Sequence, residues 1–158
     1  MLARRSLKVD AGTRTGRRHI SRRGAGAQRM TENQIGTIVI EAAIAVHRAL
    51  GPGLLETVYE VVLARELADR GLKVDRQVPV AITYKGIRFE EGFRADLIVE
   101  GKVILELKSV ERVTAAHRKQ VQTYLRLTGC RLGYLLNFGG DVMKGGITSG
   151  VIYPRAVA

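Results

Sequence analysis

Apolar residues recur three and four apart over Ile35, Ile38, Val39, Ala42, Ala45, Val46 and Leu50, the spacing of one face of an amphipathic helix. Thr31 with Gln34 three residues later opens it as a capping box, and Gly51-Pro52-Gly53 ends it. A second stripe, Leu55, Val58, Val62, Leu63 and Leu67, predicts a helix from Leu54 to Arg70, stopped by Gly71. Both stripes read as core packing. From Leu72 to Tyr84 the period changes to two: Val74, Val78, Val80 and Ile82 are apolar at alternate positions, with Arg76 among them, as in a half-buried strand. Pro79 puts that strand at an edge or a bulge. Lys85-Gly86 turns the chain into a long antiparallel strand, Ile87 to Val99, and Lys102 to Val110 is a third. Ala115 to Thr128 is a helix closed by Gly129. Arg131 to Phe138 is apolar enough to be buried on both faces, and Ile147 to Tyr153 adds a short edge strand.

The order α-α-β-β-β-α-β predicts an α/β domain over 30–153, a mixed four- to five-stranded sheet flanked by helices on both faces. One stretch breaks the pattern. Arg94 to Ser109 reads RADLIVEGKVILELKS and places Asp96, Glu106 and Lys108 in apolar strands. Burying such charges costs several kcal/mol unless they are paired. Glu106 and Lys108, two apart, share a face. Asp96 joins them if the hairpin loop is Val99-Glu100-Gly101 with Gly101 left-handed, which sets Asp96 opposite Ile104 and diagonal to Glu106. A two-residue Glu100-Gly101 turn would face it away and require a positive φ at Glu100, which is unfavourable. The three-residue loop is therefore expected.

The chain has 158 residues, 46% hydrophobic, enough for one domain with a core. A single cysteine, Cys130, excludes a disulfide framework and a multi-cysteine zinc site. It reads as a small core residue, and fits a reducing, cytoplasmic setting. No run is long enough to span a membrane, and the first thirty residues hold no signal-peptide core. Of the net charge of +11, residues 1–29 carry +8, with nine Lys/Arg and one acid. This basic extension is expected to be disordered. It reads as a phosphate-binding arm, a targeting peptide, or an upstream extension of a chain starting at Met30, the reading preferred here. Residues 154–158 form a C-terminal tail. GxxxxGK, HExxH and GxSxG motifs are absent from the sequence. His47 reads as a helix-end or surface histidine.

Two carboxylates converging across a hairpin suit a hard divalent cation such as Mg²⁺ or Mn²⁺, and a lysine beside them could orient water or stabilise charge on a phosphate. Gln120 and Tyr124 share a helix face four residues apart, with His117 close to it. Glu56, in the first turn of the second helix, is explained as well by the helix dipole as by a site, and Tyr59 is expected on its face.

The set Asp96, Glu106-Leu107-Lys108 and Gln120-x-x-x-Tyr124 resembles the PD-(D/E)xK nuclease superfamily, with its restriction-endonuclease-like core. Gly53-Leu54-Leu55-Glu56-Thr57-Val58-Tyr59 is similar to the motif that names the bacterial GxxExxY proteins, and the likeness runs from about Met30 to Tyr153. The resemblance implies that Asp96, Glu106 and the Leu107 carbonyl ligate Mg²⁺ or Mn²⁺, with Glu56 completing the acidic cluster. It implies that Lys108 activates water or stabilises the transition state, and that Gln120 and Tyr124 support it. Nucleic acid would be the partner, met by Arg94, His117 and Lys119, and the protein a possible homodimer with no membrane association. Ala95 stands where the superfamily's name has proline. Two other readings remain: a catalytically silent nuclease-fold module that binds nucleic acid or a protein, and a purely structural Glu106–Lys108 pair.

Overall fold

The computed structural model describes residues 29–151. The expectations for the basic extension up to residue 28, for Tyr153 and for the tail 154–158 lie outside the described residues.

A five-stranded mixed sheet carries the domain, in the spatial order β1-β2-β3-β4-β5. Helices α1 (Glu32–Leu50) and α2 (Glu56–Asp69) precede β1 (Val74–Tyr84), β2 (Ile87–Val99) and β3 (Val103–Lys108). Helix α3 (Ala115–Thr128) crosses over to β4 (Leu132–Asn137), and a short 3-10 helix (Met143–Gly146) leads into β5 (Ile147–Val151). All neighbours are antiparallel except β3 and β4, which run parallel, as a helical crossover allows. This is the α/β order that the hydropathy pattern predicts, with β5 as the second edge. None of the helices among the described residues is long and apolar enough to cross a membrane.

The sheet is covered on both faces. On one, Ile35, Val39 and Val46 of α1 and Leu63 and Leu67 of α2 pack on Leu97, Leu105, Leu107 and Leu136. On the other, Val121, Tyr124 and Leu125 of α3 pack on Ile104 and Leu135. Every residue of β4 is buried. Thr31 and Gln34 form the expected capping box, Gly129 caps α3 in the left-handed conformation, and β1, with Pro79, is the edge strand, its register slipping between Val80 and Ile82.

Four expectations are corrected: the hairpin register, the φ of Glu100, the apolar stripe of α2 and the face of Tyr59. The hairpin pairs Val99 with Val103 and Leu97 with Leu105, two residues out from the expected register, so Asp96 falls directly opposite Glu106 rather than Ile104. Glu100 does take a positive φ, 53°. Its N–H donates to the Lys73 carbonyl at 2.8 Å and its carboxylate accepts from the Lys73 N–H at 2.6 Å, two bonds that offset the backbone strain. The stripe on α2 is also rotated. Leu55 is 74% exposed and Val58 faces solvent, while Tyr59 and Glu60 turn inward. Tyr59 therefore does not share the face of Glu56 but stacks on Phe138 in the core. His47 is buried, with Nε2 2.8 Å from the Gly140 carbonyl, and so ties the end of α1 to the loop after β4. Cys130 is half-buried at the margin of the α3-side cluster.

Candidate active site

The last described pair of the β2–β3 ladder is Leu97–Leu105. One step beyond it, the Asp96 carboxylate takes the place of a main-chain partner, accepting the Leu107 N–H at 2.8 Å. Glu106 lies opposite, beside Leu135 of β4, and is only 3% exposed. Its Oε1 accepts from Lys108 Nζ at 2.7 Å, whereas its Oε2 is buried with no hydrogen-bond partner among the described residues. A buried carboxylate oxygen without a protein donor is costly, and Oε2 is the atom of this site that a proton or a cation would satisfy.

Glu56 reaches this point from α2. Its Oε1 accepts the N–H of Ser109, the residue after β3, at 3.1 Å, and Ser109 Oγ donates to the Leu54 carbonyl at 2.7 Å. Tyr59 explains why the helix starts there. Its hydroxyl donates to the Gly51 carbonyl at 2.5 Å and accepts the Leu54 N–H at 3.2 Å, clamping a loop in which Gly53 has φ 98°, a conformation open to glycine. Asn137 fixes the other side of the strand exit, with its amide bonding both the N–H and the carbonyl of Val110. From α3, Gln120 donates to the Tyr124 hydroxyl, and the Tyr124 ring stacks on Phe93 at 3.7 Å.

Charge couples these groups. Burial pushes the Glu106 carboxyl up to about 7; the Lys108 hydrogen bond opposes this, and the charges of Asp96 and Glu56 add to it. Burial also raises Asp96, against the Leu107 hydrogen bond, with Glu60 contributing repulsion. Burial works to lower Lys108, but the Glu106 hydrogen bond and the surrounding carboxylates outweigh it, so the ammonium is held above its ordinary range. Asp96, Glu106, Lys108 and Glu56 thus lie within each other's fields, and Tyr124 is raised mainly by burial and also feels three of them.

The residues expected to meet nucleic acid are more dispersed. Arg94 is exposed and donates to the Gln77 carbonyl at 3.1 Å. His117 is the third residue of α3, where its Nδ1 accepts the Thr114 N–H in a capping box. Lys119 is exposed and lines a small cleft between α3 and β5 with Arg118 and Ser149. Sequence reasoning did not single out Ser109, Glu60, Gln77, Phe93 or Asn137. Of these only Glu60 left a signal, as a second acid one helical turn after Glu56.

A divalent cation fits the donor chemistry in part. The two facing carboxylates are hard oxygen donors, and the orphaned Oε2 of Glu106 is the atom a cation would satisfy. Among the described residues, however, no three His, Cys, Asp or Glu side chains stand close enough together to form a ligand set by themselves. A third donor would be the Leu107 main chain or a water held by Glu56.

The profile of the PD-(D/E)XK nuclease superfamily matches residues 33–149, 117 of the 158 in the chain. The chain belongs to the PD-(D/E)XK nuclease superfamily. The match runs from α1 into β5, so nearly all of the described sheet lies within the superfamily match, and Asp96, Glu106 and Lys108 lie inside it. Comparison with curated proteins and with solved structures gives no match.

Proposed function

We propose that this nuclease-superfamily domain is a divalent-metal-dependent nuclease, hydrolysing phosphodiester bonds of DNA or RNA with Mg²⁺ or Mn²⁺, and that it is of the GxxExxY kind. The observation that carries the reading is Glu106: a buried carboxylate opposite Asp96, with one oxygen on Lys108 and the other without a partner among the described residues. Asp96 and Glu106, with the Leu107 carbonyl and Glu56, would hold the cation. When bound, it polarises the scissile phosphate and acidifies the attacking water. Lys108, kept charged by its carboxylate neighbours, orients that water or meets the charge developing on the phosphate. Gln120 and Tyr124 set the wall beside Lys108, and Arg94, His117 and Lys119 offer cations to the phosphate backbone. The GxxExxY residues have a mechanical rationale: Gly53 turns the loop, Tyr59 locks it, and Glu56 is delivered to Ser109. A cytoplasmic protein is part of the same reading, as is a homodimer if both strands of a duplex are cut.

The test is cleavage of DNA and RNA by the purified chain with Mg²⁺ or Mn²⁺. Glu106→Gln and Lys108→Ala should each lower the rate by about a hundredfold or more. Activity that survives either change overturns the assignment. A silent binding module is the second reading, favoured by the Lys108–Glu106 pair and by the lack of a three-side-chain ligand set among the described residues. Calorimetry separates the two: no uptake of Mg²⁺ or Mn²⁺ at millimolar concentration selects the module.

A further inference from the structure

Gln77 stands in the middle of β1 with φ 50°, a conformation rare for a side-chain-bearing residue inside a strand and typical of places where function stores strain. The register that pairs Arg76 with Leu97 and Val78 with Ala95 sets Gln77 against Asp96. At the same point β2 changes sides: Ala95 packs with the α3-side cluster, whereas Leu97 and Val99 pack under α1 and α2. The kink is held by side chains. Gln77 Nε2 donates to Glu60 Oε2 at 2.7 Å, Arg76 Nε donates to Glu60 Oε1 at 2.9 Å, and Arg94 Nη1 donates to the Gln77 carbonyl. Glu60 is only 4% exposed; Arg76 pairs with its charge and Gln77 donates to its other oxygen. It lies one turn beyond Glu56, which grips Ser109 at the end of β3. One helix therefore holds the exit of the strand that carries Glu106 and, four residues later, the kink facing Asp96.

We propose that Gln77 and Glu60 are positioning residues: the kink at Gln77, braced from α2 by Glu60, turns the Asp96 carboxylate onto the Leu107 N–H and beside Glu106. The proposal rests on the reading of Asp96 as a metal-site residue for its consequence, but the placement itself needs no metal. The Leu107 amide reports it directly, because its hydrogen-bond acceptor is Asp96.

Hydrogen exchange followed by NMR, with calorimetry of Mg²⁺ binding and a thermal melt, tests it in Gln77→Val, Gln77→Gly and Glu60→Gln. Valine cannot hold the positive φ, so Leu107 exchange should quicken at least tenfold and Mg²⁺ binding weaken at least tenfold, with β4 amides unchanged. Glycine keeps the positive φ but loses the bond to Glu60, so it should quicken Leu107 exchange and weaken Mg²⁺ binding less than valine does, to about the extent seen in Glu60→Gln. Glu60→Gln, which keeps the volume but not the double acceptor, should speed Leu107 exchange at least threefold, and it carries the test if the valine variant does not fold. Leu107 exchange unaltered in folded Gln77→Val or in Glu60→Gln overturns the proposal. So does equal loosening across β4, which would make the brace merely structural. A parent chain that takes up neither Mg²⁺ nor Mn²⁺ sinks the nuclease reading instead, and leaves Leu107 exchange to decide this one.

Discussion

Glu106 concentrates the chemistry of the site in one titration. Its ordinary value is 4.5 and burial raises it to about 7 in the folded chain, with Asp96 and Glu56 reinforcing and Lys108 opposing. Between those values the folded state holds a proton that the unfolded state has lost. Stability must therefore fall as pH rises through that window, and Asp96, shifted in the same direction, adds to the slope. Metal-free protein should accordingly melt at a lower temperature at pH 8 than at pH 6, and Glu106→Gln should flatten the difference. A cation competes with that same proton, so Mg²⁺ should raise the melting temperature more at pH 8 than at pH 6, by linkage to the folded state alone. Melting curves at two pH values, with and without Mg²⁺, measure all of this. A Mg²⁺ effect that is larger at pH 6 would contradict the assignment of Glu106 as a ligand.

The site is assembled by how elements end more than by how they run. The end of β3 is held by Glu56 on Ser109 and by Asn137, whose Oδ1 accepts from the N–H groups of Val110 and Gly139 while its Nδ2 donates to the Val110 carbonyl. Asn137 is buried, so Asn137→Leu would strand three main-chain groups at about 1–3 kcal/mol each. A loss of about 3 kcal/mol or more in urea unfolding is expected, together with weaker Mg²⁺ binding, since Ser109 and Lys108 sit on the released segment. Element types and order were legible because long apolar periodicities report burial faithfully, and the face shared by Asp96 and Glu106 was legible because a two-residue register shift preserves strand parity. The register itself was not. It depends on Glu100 accepting strain that Lys73, 27 residues away, relieves. The stripe on α2 misled for a similar reason: Tyr59 spends its hydroxyl on the Gly51 loop and its ring on Phe138, and that demand, invisible in local spacing, rotates Leu55 and Val58 into solvent. The brace of Glu60 on Gln77 was beyond reach because it joins three elements through one positive φ.

At the scale of the whole molecule, most of the net charge and the family match fall on different parts of the chain. Both hydrophobic clusters lie within residues 29–151, and the family match begins at residue 33, whereas residues 1–29 supply +8 of the net +11. The domain that holds Asp96, Glu106 and Lys108 is thus only mildly basic, too little for strong electrostatic capture of a polyanion. A chain beginning at Met30 should keep its melting temperature within about 2 °C, because it retains both hydrophobic clusters of the described residues and the whole of the family match. Its cleavage rate at saturating substrate should also stay within about threefold, since the site residues are intact. Non-specific binding to single-stranded or duplex DNA should weaken, and its salt dependence become shallower by about 0.7–0.9 for each phosphate contact the arm makes. Fluorescence anisotropy of a labelled oligonucleotide between low and moderate salt measures this. Identical slopes for the two chains would show that the basic extension does not touch nucleic acid and that capture belongs to Arg94, Lys119 and their neighbours on the domain itself.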